Sequence, residues 1–264
     1  MKDVLISGAF GGMGRAALNK LVKEGYRVFA LDKKVEDAGE NVIPIEADVT
    51  SEESLFAALK KVKEYTSDLF AIVHLAGIYY LDSLVEISED RFIKIFDINL
   101  FGVYRINKIF LPLLKEGSRI IITTSELAPL SPLPFTGIYA ISKTALDRYA
   151  YSLRMEVQLL GVFVSVIVPG AVKTDMLGAS NRELDKFCET TELYECNAER
   201  FKKIVNGVEA KNVSPDKVAE KVYKAIKAKK PKFEYKLNRN PLLLLLNALP
   251  KRWQTKIIKR ILKK

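Results

Sequence analysis

The first 32 residues narrow the possible folds more than any other stretch. Val4-Leu5-Ile6 reads as a buried strand, and Ser7-Gly8-Ala9-Phe10-Gly11-Gly12-Met13-Gly14 follows it at once. Ala16, Ala17, Leu18, Leu21 and Val22 then give a helical apolar stripe that stops at Gly25, a C-cap residue. Residues 27–31 form a second strand, closed by Asp32. Strand, glycine-rich turn, helix, strand and acid is the order of a dinucleotide-binding βαβ unit. Its glycines permit the tight turn and bring backbone N–H groups to a pyrophosphate at the helix N-terminus. Asp32, 18 residues after Gly14, is placed to accept from a ribose 2′-hydroxyl and to repel a 2′-phosphate, which favours NAD. Lys33 and Lys34 follow directly and can reverse that preference, so NADP stays open.

The alternation continues down the chain. Strands at 42–45, 69–73, 119–123 and 162–168 are separated by helices at 51–65 and 88–114 and by one that carries Tyr139. A Pro-rich loop occupies 127–134, and a helix over 214–229 precedes a short strand at 232–236. Strands apolar on both sides, spaced by helices, predict an α/β fold: a Rossmann-type, doubly wound parallel sheet with helices on both faces. No repeat, linker or charge run divides the first 236 residues, so residues 1–240 read as one domain. Residues 176–212 are polar and strandless, follow a strand end, and are predicted to cover the ligand as a lid.

The net charge of +10 is uneven. From Lys224 onward there are 14 Lys and Arg against Glu234 alone, a local +13; the chain before it has 28 basic and 31 acidic residues. A near-neutral body argues against nucleic acid as a partner and leaves the basic character to residues 241–264. Asn240 as N-cap, with Pro241 and Pro250 in first turns, predicts two helices there. The five leucines at 242–246 fall far short of the ~20 residues that span a bilayer. Trp253, Ile257 and Ile261 recur at spacing four beside Ile258 and Leu262, among seven basic residues from Lys251 to Lys264. That is a basic amphipathic helix. It meets a membrane peripherally, packs on the protein by roofing the substrate cleft or lining a dimer contact, or does both. Cys188 and Cys196 lack metal-spaced partners and read as reduced thiols, and Met1-Lys2-Asp3 runs straight into a strand without a secretory signal. The expectation is a cytoplasmic protein.

The chemistry centres on Tyr139-Ala140-Ile141-Ser142-Lys143. One helical turn puts Tyr139 and Lys143 on the same face. The ammonium stabilises the phenolate, which should make the tyrosine a usable acid or base nearer neutral pH. Together with its glycine turn, the chain resembles the short-chain dehydrogenase/reductase family. The family's T-G-x-x-x-G-x-G appears as Ser7-Gly8 to Gly12-Met13-Gly14, its D-V as Asp48-Val49, and its N-A-G as Leu75-Ala76-Gly77. Asn99, Ser125 and Tyr139 with Lys143 match its mid-helix asparagine, strand-end serine and Y-x-x-x-K, and Pro169-Gly170-Ala171-Val172-Lys173-Thr174 matches P-G-x-V-x-T. These matches span roughly residues 3–175. The Leu133-Pro134-Phe135 loop and the basic extension look most like the hydroxysteroid and retinol dehydrogenase branch.

The resemblance implies that Tyr139 moves the proton and Ser125 orients the substrate oxygen. Lys143 would hold the nicotinamide ribose, and Asn99 a water linking Lys143 to solvent. Asp48 and Val49 would contact adenine, Ala76 and Gly77 would form the turn after strand four, and Pro169, Val172 and Thr174 would fix the carboxamide. It further implies an NAD(P)-dependent interconversion of an apolar alcohol and ketone, by a homo-oligomer. The competing reading, a silent nucleotide sensor or scaffold, has no physical need for all four of Asn99, Ser125, Tyr139 and Lys143. A Ser-His-Asp hydrolase would have to use His74, the lone histidine, and no G-x-S-x-G is present; a buried or backbone-bonded histidine is expected instead. No His/Cys cluster suggests a metal.

Overall fold

The computed structural model describes residues 1–131, 133–209 and 212–263, with the backbone alone at 175–181, 196 and 206–209. Pro132 of the Pro-rich loop, the Cys196 thiol and Lys264 thus lie outside the described residues. Cys188 is a free thiol.

Seven strands, β1 (Lys2–Ser7), β2 (Tyr26–Asp32), β3 (Val42–Glu46), β4 (Leu69–His74), β5 (Leu114–Thr123), β6 (Phe163–Pro169) and β7 (Glu234–Leu237), form one sheet in the order β3-β2-β1-β4-β5-β6-β7. Every neighbouring pair is parallel. Alternating side chains face opposite layers. Leu5, Phe29, Leu31 and Ile72 pack under α2 (Glu52–Lys63), α4 (Gly102–Phe110) and α5 (Gly137–Val157). Val4, Ile6, Val28 and Ala30 pack on the opposite face under α1 (Gly12–Lys23) and α8 (Pro215–Lys227). The strand order reverses between β1 and β4, with Ser7 paired to both Leu31 and His74. Such a reversal opens a crevice beyond the strands' carboxyl ends.

Two expectations need correction. Residues 88–114 are not one helix: α3 (Glu89–Phe96) passes through a π-helical turn, Asp97–Phe101, into α4, and a 3₁₀ turn then delivers the chain to β5 at Leu114. The hydrophobic period carries no mark of the π turn because Ile98, Leu100 and Phe101 are equally at home in an α-helix. Pro250 stands just before α10 (Lys251–Leu262) and not in its first turn. Asn240, by contrast, caps α9 (Pro241–Ala248) as expected, its side chain accepting from Leu242 N at 2.9 Å and Leu243 N at 3.3 Å.

The predicted lid forms α6 (Asp175–Thr190) and α7 (Glu195–Glu209), and a parallel bridge between Val172 and Val213 closes its base. Phe135 sits at its hub, with ring centroids 4.6 Å from Phe187, 5.2 Å from Tyr194 and 5.4 Å from Phe201. Leu262 and Ile258 of α10 join this cluster. Asn197 donates to Leu262 O and Arg200 to Lys263 O, both at 2.6 Å. One stripe of the C-terminal extension therefore packs on the protein. No helix among the described residues is long and apolar enough to cross a membrane.

Candidate active site

β1, β2, β4, β5 and β6 all end at the crevice, and the residues that follow them are the ones the motifs single out. After Ser7, Gly8 takes φ +69°, and its N–H donates to Leu31 O at 2.9 Å. A Cβ on Gly8 would stand 2.5 Å from Ala76 N, and one on Gly12 would stand 2.8 Å from the Thr174 side chain. The turn is thus pressed against the ends of β4 and β6. α1 begins with Gly11 at its N-cap, no side chain accepting from its first turn, and no acid in that turn. Uncapped N–H groups at the positive end of a helix suit an anion. A groove of about 820 Å³ opens there, lined by Gly8, Gly12, Met13, Gly14, Asp32, Val49, Ala76, Gly77 and Thr174 among others. The cradle fits a dinucleotide pyrophosphate.

Asp32 closes β2 with Oδ2 accepting from Phe10 N at 2.9 Å and Oδ1 from Lys33 N at 2.8 Å. Asp48 behaves differently from expectation and does not line the groove. Its Oδ1 accepts from Thr50 N at 2.9 Å and from Thr50 Oγ1 at 2.7 Å, and its Oδ2 pairs with Lys33 Nζ at 2.8 Å. Val49 keeps the groove contact alone.

A second, smaller cavity of about 230 Å³ adjoins the groove and shares Met13, Ala76, Gly77 and Thr174 with it. Ser125, Tyr139, Lys143, Pro169 and Val172 line it, with Leu127, Leu133, Phe201, Val205 and Leu243 as apolar walls. Tyr139 is hydrogen-bonded to Ser125, and its ring lies 4.7 Å from that of Tyr79. Lys143 Nζ donates to Thr123 O at 3.0 Å. Asn99 is fully buried in the π turn. Its Oδ1 accepts from Ile78 N at 2.8 Å, while Nδ2 donates to Ile78 O at 3.0 Å and to Ser142 Oγ at 3.2 Å. The asparagine clamps the segment after Gly77 onto α5 one residue from Lys143. Its side chain is therefore a positioning group.

Burial reverses the expected electrostatics. Lys143 Nζ lies 5.8 Å from the Tyr139 ring centroid, and its stabilisation of a phenolate does not outweigh loss of solvent. Burial pushes Tyr139 up to about 12, offset in part by the Ser125 hydrogen bond. Burial likewise lowers Lys143 to about 8. At neutral pH the phenol therefore keeps its proton. His74 is buried as expected, but its partner is a side chain: Nε2 lies 2.9 Å from Asn107 Oδ1. Burial lowers its pKa to about 4, so it is neutral.

Two neighbours of the site were not visible in the motifs. Tyr79 reaches Tyr139 across two loops, which no spacing records. Glu126, next to Ser125, lines the smaller cavity, and its Oε2 accepts from Asn240 N at 2.7 Å. Burial raises its carboxyl. It ties the start of the C-terminal extension to the serine.

The short chain dehydrogenase family model matches residues 2–185. Mouse estradiol 17-beta-dehydrogenase 2 is 34% identical over 194 residues, covering 68% of this chain and 50% of that protein. This chain therefore spans about half the length of the mouse enzyme. The 3-ketodihydrosphingosine reductase of Bacteroides thetaiotaomicron is 26% identical over 95% of this chain and 92% of its own. An alcohol dehydrogenase of Thermococcus sibiricus, solved with 5-hydroxy-NADP, superposes with a TM-score of 0.73 at 26% identity, covering 91% of this chain and 99% of that one. A family match over well more than half of the sequence settles the lineage: the chain belongs to the short-chain dehydrogenase/reductase family.

Proposed function

We propose that the protein, a member of an oxidoreductase family that uses nicotinamide dinucleotides, interconverts a secondary alcohol and a ketone on an apolar, steroid- or lipid-like substrate, with Tyr139 as acid and base. The observation that carries this is the Tyr139–Ser125 pair facing a small apolar cavity that opens beside the dinucleotide groove. When bound, the dinucleotide supplies or accepts the hydride. In the reducing direction Tyr139 gives its proton to the carbonyl oxygen, while Ser125 orients that oxygen. In the oxidising direction Tyr139 must take a proton, and the charge on Lys143 lowers the cost of the phenolate. Asn99 keeps the Ile78 backbone and α5 in register around them. Relatives whose names refer to estradiol and to a keto-sphingoid base support the substrate class. A screen of steroid and long-chain ketones and alcohols with both cofactors tests it. Turnover confined to small polar carbonyls would overturn it.

NAD is the proposed preference. Asp32 is fixed at the groove by two backbone N–H groups, and two of the groove's cations are engaged with acids, Lys33 with Asp48 and Arg15 with Glu36, while Lys34 also lines the groove. Expected is a kcat/KM for NAD on the order of tenfold or more above that for NADP, from a carboxylate facing a 2′-hydroxyl and not a phosphate. Exposed pairs like these are weak and screened by solvent. A clear preference for NADP would therefore mean that Lys33 or Lys34 swings onto the phosphate.

The Lys143 shift gives a pH dependence with a definite sign. A lysine lowered to about 8 carries its charge below that pH and loses it above. If the charge holds the ribose and supports Tyr139, kcat/KM should be level through neutrality and fall above pH about 8. Lys143→Arg, which stays charged, should lose that alkaline limb even at reduced activity. A wild-type profile level up to the ordinary lysine value of 10.5 would overturn the assignment.

A further inference from the structure

The C-terminal extension has more apolar surface than the protein covers. On α10, Gln254, Ile258 and Leu262 turn inward, with Gln254 Nε2 donating to Leu249 O at 2.8 Å. The residue before each of them, Trp253, Ile257 and Ile261, lies about 100° round the helix, beside the packed stripe. Trp253 is 59% and Ile261 52% exposed, and Ile257 between them is half-buried. Beyond this open stripe the wheel carries Arg252, Lys256, Lys259, Arg260 and Lys263, all exposed. None of these five forms an ion pair among the described residues, and Lys256 Nζ sits 5.7 Å from the Trp253 ring. α9 repeats the arrangement. Leu243 is buried and lines the cavity beside Tyr139, while Leu242 and Leu245 are 70% and 65% exposed. Asn240 N to Glu126 and Ser131 N to Asn247 Oδ1, at 2.6 Å, fix both ends of α9 to the body.

We propose that the open apolar stripes of α9 and α10, flanked by the basic face of α10, dock the protein on an anionic phospholipid surface. Packed face, open apolar stripe and basic face succeed one another around α10. A helix lying in a bilayer interface needs this order, with apolar side chains in the acyl boundary and cations at the headgroups. Charge decides against a second copy as the occupant, because two such faces would bring like-charged lysines together where interface cores are depleted of lysine. Docking stands on the surface alone. That the membrane also supplies the substrate rests on the apolar-substrate reading, and follows from α9, which would touch lipid with Leu242 and Leu245 and the cavity with Leu243.

The test is sedimentation of the full chain with vesicles of phosphatidylcholine, with and without phosphatidylglycerol, at low and high salt. Wild type should bind the phosphatidylglycerol vesicles and lose affinity with salt. Trp253→Glu/Ile261→Glu and Leu242→Glu/Leu245→Glu should each weaken binding on the order of tenfold or more. These side chains are exposed, so activity on a water-soluble ketone should stay at the wild-type level and reports folding. Three results overturn the proposal: no binding to phosphatidylglycerol vesicles, equal binding to phosphatidylcholine alone, or binding indifferent to both double variants. A lipid-free oligomer that the glutamate variants dissociate also overturns it, in favour of a second copy. Failure of wild type to turn over any apolar ketone counts against the proposed activity and leaves the sedimentation result standing.

Discussion

Tyr139→Phe is expected to fold, bind the dinucleotide and lose turnover by about 10²–10⁴-fold, the usual worth of a positioned acid or base. The substitution removes one oxygen and nothing else. The ring keeps its place 4.7 Å from Tyr79, and Lys143 keeps its bond to Thr123 O. Ser125 loses a partner but still accepts from Leu127 N at 3.2 Å, so its rotamer has a second restraint. Cofactor titration by fluorescence should be unchanged while kcat collapses. Wild-type kcat in a purified, folded Phe variant would remove Tyr139 from the mechanism.

Gly14→Ala should have the second large effect, through the backbone. Its Cβ would lie 1.9 Å from Gly8 O and 2.8 Å from Ala9 C and O, atoms that cannot move without opening the turn. The turn is also the dinucleotide cradle, so both stability and affinity should suffer. Overpacking costs about 1–3 kcal/mol, and a displaced cradle should weaken cofactor binding by on the order of 10²-fold, since small misplacements cost that much. Gly11→Ala is the matched control: its Cβ would meet nothing closer than Gly8 O at 3.6 Å. Thermal unfolding and cofactor titration of the two variants should diverge sharply. Equal behaviour, or wild-type cofactor affinity in Gly14→Ala, would show that the turn is looser than its geometry.

Much of this was legible in the sequence because parallel strands write their signal locally. Each is a short apolar run, and each ends at the crevice, so a motif after a strand is already placed at the ligand. Ser7 to Gly14, Asp32, Ser125 and Pro169 to Thr174 are readable for that reason. What was missed needs the third dimension. Burial holds the proton on Tyr139, against what the spacing to Lys143 implies. Asp48 turns to Lys33 and Thr50, a choice set by local partners and not by its position after β3. Glu126 meets Asn240 across 114 residues. The extension posed a further ambiguity, since apolar positions on one helix look alike whether they pack inward or stay open. Here one register, Ile258 and Leu262, does the first, and the neighbouring register, Trp253 and Ile261, does the second.

The π turn at Asp97–Phe101 acts as a phase shifter for the helix that carries it. A single π turn holds one residue more than an α turn, and one residue is worth about 100° of rotation. α4 therefore reaches the sheet dialled round by that angle relative to α3. In that setting Val103, Ile106 and Phe110 face the core, Asn107 meets His74, and Tyr104 and Lys108 face outward. Winding the same five residues as plain α-helix would turn the whole of α4 by that angle. Arg105 and Lys108 would then come round to the buried places of Ile106 and Ile109, and His74 would be left without its amide. Deleting one residue of the turn offsets that rotation, because a regular helix one residue shorter keeps every later side chain on its present face. The extra residue between Phe96 and Gly102 is therefore paired with the π turn: removing both leaves α4 facing the sheet, and removing either alone does not.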